Sequence, residues 1–117
     1  MKKLDISNIV YILIIILTFT ASQVFGQITV KHFNAGWNEA NGVDWIIDLK
    51  DCNTKGYIDI AKDVEAQKKY KIAVVPTIII FKDGEEALRF QADLSFKMVA
   101  TKEEVTEAID ELLMSDF

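Results

Sequence analysis

The stretch Ile72-Ala73-Val74-Val75-Pro76-Thr77-Ile78-Ile79-Ile80-Phe81-Lys82-Asp83-Gly84 decides the fold of this 117-residue chain. It contains the single proline of the sequence. Proline has no N–H and cannot donate to a sheet ladder. Yet Thr77 to Phe81 is β-branched and apolar and carries no charge, the pattern of a strand buried on both faces. The first residue of such a strand is a position where proline is tolerated. Lys82-Asp83-Gly84 then supplies a turn, Asp-Gly being suited to positive φ. Glu85 to Phe90 reads as the returning antiparallel strand.

Upstream, Asp63 to Tyr70 reads as a short helix, with Lys68 and Lys69 at its negative C-terminal end. Tyr57 to Ala61 is a second strand and Ile28 to Phe33 a first. Between these two lies a helical segment whose apolar positions are Ala40, Val43, Ile46 and Ile47, with Trp45 and Leu49, at the spacing of a buried face. Asn38 is placed to cap it and Glu39 suits its first turn. Gly42 falls inside it, at a cost of about 1 kcal/mol relative to alanine. Asp51 to Gly56 ends it. Downstream, Gln91 to Ala100 is irregular yet apolar, with Leu94, Phe96, Met98 and Val99. Thr101-Lys102-Glu103-Glu104 is a capping box, and Val105, Ala108, Ile109, Leu112 and Leu113 form one stripe behind it. The order is strand, helix, strand, helix, strand, strand, helix. A helix joins the first two strands, so they should be parallel. The expected fold is α/β: a mixed four-stranded sheet with helices on both faces.

Residues 1–26 read differently. Lys2 and Lys3 precede an apolar run from Ile9 to Leu17 that continues to Ala21, and Val24-Phe25-Gly26 precedes Gln27. A basic start, a short apolar run and a small residue at the cut are the three parts of a secretory signal. The run is shorter than the roughly 20 residues that span a bilayer. Cleavage after Gly26 is preferred over cleavage after Ala21, and retention as an anchor is the competing reading. The expected division is therefore a signal peptide at 1–26 and one domain at 27–117, exported to a periplasmic or extracellular space. Residues 1–26 carry Lys2, Lys3 and Asp5, so the domain is one unit more acidic than the whole chain's −5, near −6. This disfavours nucleic acid and anionic membranes as partners. Cys52 is the one cysteine, so no internal disulfide forms although the compartment would permit one.

Val75-Pro76-Thr77, the strand and Lys82-Asp83-Gly84 together resemble the Val-Pro-Thr, strand and Lys-x-Gly signature of the thioredoxin family. The resemblance covers about residues 28–113. It implies a thioredoxin-like three-layer sandwich with a cis proline bordering a substrate groove. It also implies a Trp-Cys-x-x-Cys run at the start of the helix after the first strand, where one thiolate attacks and the second resolves the mixed disulfide. Trp37-Asn38-Glu39-Ala40-Asn41 stands in that place. Asn38 and Asn41 occupy both cysteine positions, and an amide can neither attack a disulfide nor form one. Dithiol oxidoreductase activity is not expected. The family's buried acid corresponds to His32 and its partner lysine roughly to Tyr57. With no thiol to serve, His32 reads as a hydrogen-bonded sheet residue rather than a proton relay.

The family groove would be lined here by Trp37, Val75, Pro76 and Ala92, with the Val75 backbone offered to an extended peptide. Asn38 and Asn41 would bond a peptide or cap the helix. Leu94 to Val99 either packs on the last helix or forms a patch for a partner. Cys52 should lie at the far end of a continuous helix, on the order of 16 Å from Asn41. It reads as a small, buried apolar residue, or else as a redox thiol working by mixed disulfide or by a Cys52-linked dimer. One histidine supports no metal site, and no glycine-rich phosphate loop or nucleophilic serine is present. No cofactor is expected. The leading expectation is an exported, redox-inactive domain that binds a protein or peptide at the proline groove. The alternative is a thiol-redox protein, serving redox homeostasis, that acts through Cys52 alone.

Overall fold

The strand behind the proline lies inside the sheet. The computed structural model describes residues 26–115. The expected signal segment therefore lies, except for Gly26, outside the described residues. Four strands, β1 (Ile28–Asn34), β2 (Thr54–Asp59), β3 (Thr77–Lys82) and β4 (Glu85–Gln91), form one sheet in the order β2-β1-β3-β4. β1 and β2 are parallel, while β3 runs antiparallel to both β1 and β4. Two α-helices follow β2 and β4: α1 (Val64–Lys69) and α2 (Lys102–Met114). The mixed sheet with helices is the expected α/β architecture.

Alternation along the central strands divides the interior in two. Ile28 and Val30 of β1, with Ile78 and Ile80 of β3, point to one face and pack against Val43, Ile46 and Leu49 and against Val105 and Ile109 of α2. Phe33 and Ile79 point to the other face, where they meet Ala35, Ile72 and Val75, with Tyr70 behind α1 beside them. Cover on both faces explains why Ile78, Ile79 and Ile80 are all fully buried. Burying each side chain contributes about 2 kcal/mol. The Val75–Pro76 bond is cis. Asp83 and Gly84 both have positive φ, as a tight β3–β4 hairpin requires.

Both α-helices begin on their sequence signals. Asp63 accepts from the Ala66 N–H at 3.0 Å. Thr101 and Glu104 form the reciprocal capping box, with bonds of 3.1 and 2.9 Å. The end of α1 is less legible. Ile72 N–H donates to the Gln67 carbonyl and Lys71 N–H to that of Lys68, with Lys71 left-handed at φ 53°. This is a Schellman closure with lysine in the place usually taken by glycine. Arg89 of β4 holds it shut by donating to the Tyr70 and Lys71 carbonyls at 2.8 and 3.0 Å. Glu86, itself exposed, orients that guanidinium through a two-bond ion pair.

Two elements differ from expectation. β2 begins at Thr54 rather than Tyr57. It is an edge strand with its first four residues exposed, so no alternation marks its start. The start is fixed instead by Asn53, whose N–H donates to Ile28 O and whose side chain accepts from Ile28 N–H. The helix expected over Ala40–Leu49 is absent. Two short 3-10 segments replace it, Gly36–Asn41 and Asp44–Asp48. Gly42 between them is extended, with ψ 159°. Its N–H reaches Glu39 O. The next amide, Val43 N–H, turns to His32 Nε2 at 3.4 Å and so leaves the helical ladder. The buried residues Val43, Ile46 and Leu49 follow a spacing of three, the period of a 3-10 turn. Ile47, expected inside, is exposed.

Candidate functional site

The C-terminal end of β1 delivers the chain to the expected site. Asn34 closes the strand and Ala35 packs with Val75 in the cluster on the α1 face. Trp37 and Asn38 follow in the first 3-10 segment. Trp37 is 66% exposed, whereas Asn38 is 5% exposed and lies inside the turn. Asn38 therefore does not cap a helix. The residue preceding the segment is Ala35, which makes no side-chain cap.

Asn38 instead joins three elements. Its Nδ2 donates to Asn34 Oδ1 and to the Phe96 carbonyl, each at 3.1 Å. Its Oδ1 accepts from Asn41 Nδ2 at 2.9 Å. Asn34 Nδ2 returns a bond to the Asn38 carbonyl at 3.1 Å. The positions expected to hold sulfur thus hold a closed amide cluster. Sequence reasoning misses Asn34, a member fully buried at the strand end. Its one signal is the recurrence of asparagine at 34, 38 and 41.

Phe96 gives the cluster its second role. The loop after β4 folds back through an Ala92–Met98 bridge and a turn in which Phe96 N–H donates to Asp93 O. Phe96 is left-handed at φ 64°, a strained conformation for a bulky residue. The Asn38 amide on its carbonyl holds it there. Its ring meets Trp37 edge-on, with centroids 5.3 Å apart. The two readings of Leu94 to Val99 divide between residues. Met98 packs on the sheet core, whereas Leu94 and Val99 are 96% and 65% exposed and Phe96 is 41% exposed.

Pro76 and Val75 are buried and Ala92 is half-buried. Ala92 N–H donates to the Pro76 carbonyl at 3.0 Å, tying this edge to the Phe96 loop. The Val75 N–H and C=O enter no backbone hydrogen bond among the described residues. Trp37, Phe96 and the Val75–Pro76 edge are thereby linked into one end of the sheet.

His32 and Tyr57 are register partners on β1 and β2. Their rings lie 5.1 Å apart in an edge-to-face arrangement. Burial lowers the His32 pKa to about 4, partly opposed by Asp44, so the ring is neutral near pH 7. Cys52 lies at the other end of the sheet, next to Asn53, which is bonded to Ile28. The seven residues of β1 separate it from Asn34, roughly 20 Å. The remote position is the expected one, but the strand sets it, not a continuous helix. Cys52 is half-buried rather than enclosed. Its Sγ contacts the Lys50 carbonyl at 3.4 Å. Burial pushes the thiol up, with Lys55 opposing, the opposite of an activated nucleophile. Among the described residues, no three His, Cys, Asp or Glu side chains gather as metal ligands, and no helix is long and apolar enough to cross a membrane.

Comparison with protein-family models and with curated proteins gave no match. Solved structures do match. A thioredoxin variant from Halobacterium salinarum is 18% identical, with a TM-score of 0.59 over 74% of each chain. Malassezia sympodialis thioredoxin is 16% identical, with a TM-score of 0.56 over 81% of this chain and 83% of its own. Fasciola hepatica thioredoxin is 22% identical, with a TM-score of 0.53 over 81% of this chain and 89% of its own. At these identities the likeness establishes the thioredoxin fold.

Proposed function

We propose that the domain is an exported, redox-inactive binding module that takes an extended protein or peptide segment along Trp37, Phe96 and the Val75–Pro76 edge. The observation that carries this reading is the exposed Trp37–Phe96 pair, beside a Val75 backbone with no internal partner. Unpaired backbone at the end of a sheet accepts an added strand, and neighbouring apolar side chains supply the specificity. Leu94 and Val99, in the same loop as Phe96, are also exposed. Grouped exposed apolar side chains of this kind mark interaction sites. The amide cluster of Asn34, Asn38 and Asn41 supports loss of redox chemistry, because it holds no group able to exchange with a disulfide. Export rests on the composition of residues 1–26. A redox role through Cys52 alone gains nothing from its raised thiol and its remote position.

Selection of extended peptides against the full-length chain, followed by titration of tryptophan emission, tests the reading. Selected peptides should bind saturably. Trp37→Ala should weaken them by about tenfold or more, roughly 1.4 kcal/mol, and N-methylation of alternate peptide amides should abolish binding. Equal affinity for the Trp37→Ala protein would remove the proposed surface. Repeated turnover of a disulfide substrate would remove the redox-inactive reading. Sequencing of the mature N-terminus should begin at Gln27, and an intact Met1 would count against a cleaved signal.

A further inference from the structure

A cleft of about 540 Å³ lies between the 3-10 segments and β2, with Asn34 of the amide cluster in its lining. That volume is within the range of small-molecule sites. Its lining includes His32, Glu39, Asp44, Ile46, Lys55 and Tyr57, none of which belongs to the Trp37 surface. Neither the fold nor the proposed peptide binding uses it.

The polar groups of the cleft have a definite sense. His32 Nε2 accepts from Val43 N–H, so the neutral ring carries its proton on Nδ1. That Nδ1–H has no protein partner, although the residue is only 6% exposed. No fully buried side-chain polar atom among the described residues lacks a partner. The unpaired Nδ1–H therefore reaches the open cleft rather than the packed interior. It is an accessible donor, able to meet an acceptor that enters the cleft. Glu39 and Asp44 bring two carboxylates, and neither makes a side-chain hydrogen bond or ion pair among the described residues. The one cation in the lining, Lys55, is already engaged: its Nζ donates to the carbonyls of Ile47 and Leu49 at 2.9 and 2.8 Å. Ile46 and the half-exposed Tyr57 ring supply apolar surface, and an aromatic face also attracts a cation.

We propose that this cleft binds a small organic ammonium that carries a neutral hydrogen-bond acceptor and an apolar group, but no carboxylate. The acceptor takes the His32 Nδ1–H, Glu39 and Asp44 take the ammonium, and the apolar part lies on Ile46 and Tyr57. A carboxylate on the ligand is rejected by the two protein carboxylates. A ligand without the ammonium leaves them unmatched.

Three probes separate these requirements. Phenylalaninamide has the ammonium and a neutral carbonyl, 3-phenylpropanamide lacks the ammonium, and phenylalanine adds a carboxylate. Each is titrated at pH 6 against the full-length chain in non-ionic detergent, with the ring signals of the sole histidine followed by NMR. Phenylalaninamide should shift the His32 signals saturably, and the other two should bind about tenfold more weakly or worse. The double variant Glu39→Gln, Asp44→Asn should lose phenylalaninamide binding by at least about tenfold while keeping the backbone spectrum of the parent, since neither side chain makes a bond within the fold. Equal binding of the three probes, absence of a saturable shift with phenylalaninamide, or undiminished binding by the double variant would each overturn the proposal.

Discussion

Replacing Asn38 by alanine tests the amide cluster directly. Three side-chain hydrogen bonds vanish: to Asn34 Oδ1, to Phe96 O and from Asn41 Nδ2. A net bond contributes about 0.5–1.5 kcal/mol, and a buried group left without its partner costs about 1–3 kcal/mol. The Asn34 oxygen is such a group, since Asn34 is fully buried. Asn41 sits nearer solvent and recovers water. The expected loss is therefore about 3 kcal/mol, a large part of the roughly 5–15 kcal/mol that holds a domain together. For a domain of this size that lowers Tm by roughly 15 °C. Phe96 also loses the tether on a left-handed backbone, so the Trp37 environment should change. Urea unfolding of parent, Asn38→Ala and Asn41→Ala, followed by tryptophan emission, reads both effects. Asn41→Ala removes one bond of 2.9 Å and should cost about 1 kcal/mol or less. If Asn38→Ala stays within about 1 kcal/mol of the parent, or if the two variants are equal, the cluster is not what holds this corner.

Placing cysteines here through Asn38→Cys with Asn41→Cys should not create a thioredoxin-like thiolate. Position 38 is buried and no α-helix starts there, so its new thiol should titrate at or above about 8.5 rather than near 7; a thiolate absorbance midpoint near 7 would refute this. His32 should make stability fall on acidification. Its folded pKa of about 4 lies below the ordinary value of 6.5, so the unfolded chain takes up the proton first. Its contribution, full above about 6.5, is lost progressively down to about 4, for a total of about 3 kcal/mol. Urea midpoints across that window should fall more steeply for the parent than for His32→Gln, and parallel curves would contradict it. Arg89→Ala should cost about 1–2 kcal/mol by releasing the Tyr70 and Lys71 carbonyls. Glu86→Gln should cost less than about 1 kcal/mol, since its pair is exposed; equal losses would show that the ion pair, not the carbonyl clamp, holds α1.

The residues that announce themselves in sequence are those whose local chemistry has one solution. The apolar run behind Pro76 can be satisfied only inside a sheet, Asp83-Gly84 only in a tight turn, and Thr101 with Glu104 only at a helix start. The failures occur where a distant group decides. Ala40 to Leu49 has enough apolar residues for an α-helix, but the Val43 amide is claimed by His32 from another element. The start of β2 is set by Asn53 reaching Ile28 across 25 positions. At the candidate site, Asn38 and Asn41 stand out by their spacing after Trp37, where the resemblance implies cysteines. The bond from Asn38 to Phe96, 58 residues away, is not, because nothing local to Asn38 distinguishes a clamp from a cap. Likewise, His32 and Tyr57 stand out in sequence only as two altered family positions, and the strand register is what makes them neighbours lining one cleft.

The amide cluster also fixes how the corner answers its chemical surroundings. Carboxamides do not gain or lose electrons under biological conditions, and they neither ionise nor crosslink across the range in which thiols do. Asn34, Asn38 and Asn41 therefore keep Trp37 and Phe96 in the same relation whether peroxide or glutathione prevails outside. A dithiol at this corner would have made its shape report on the medium; three asparagines make it a constant.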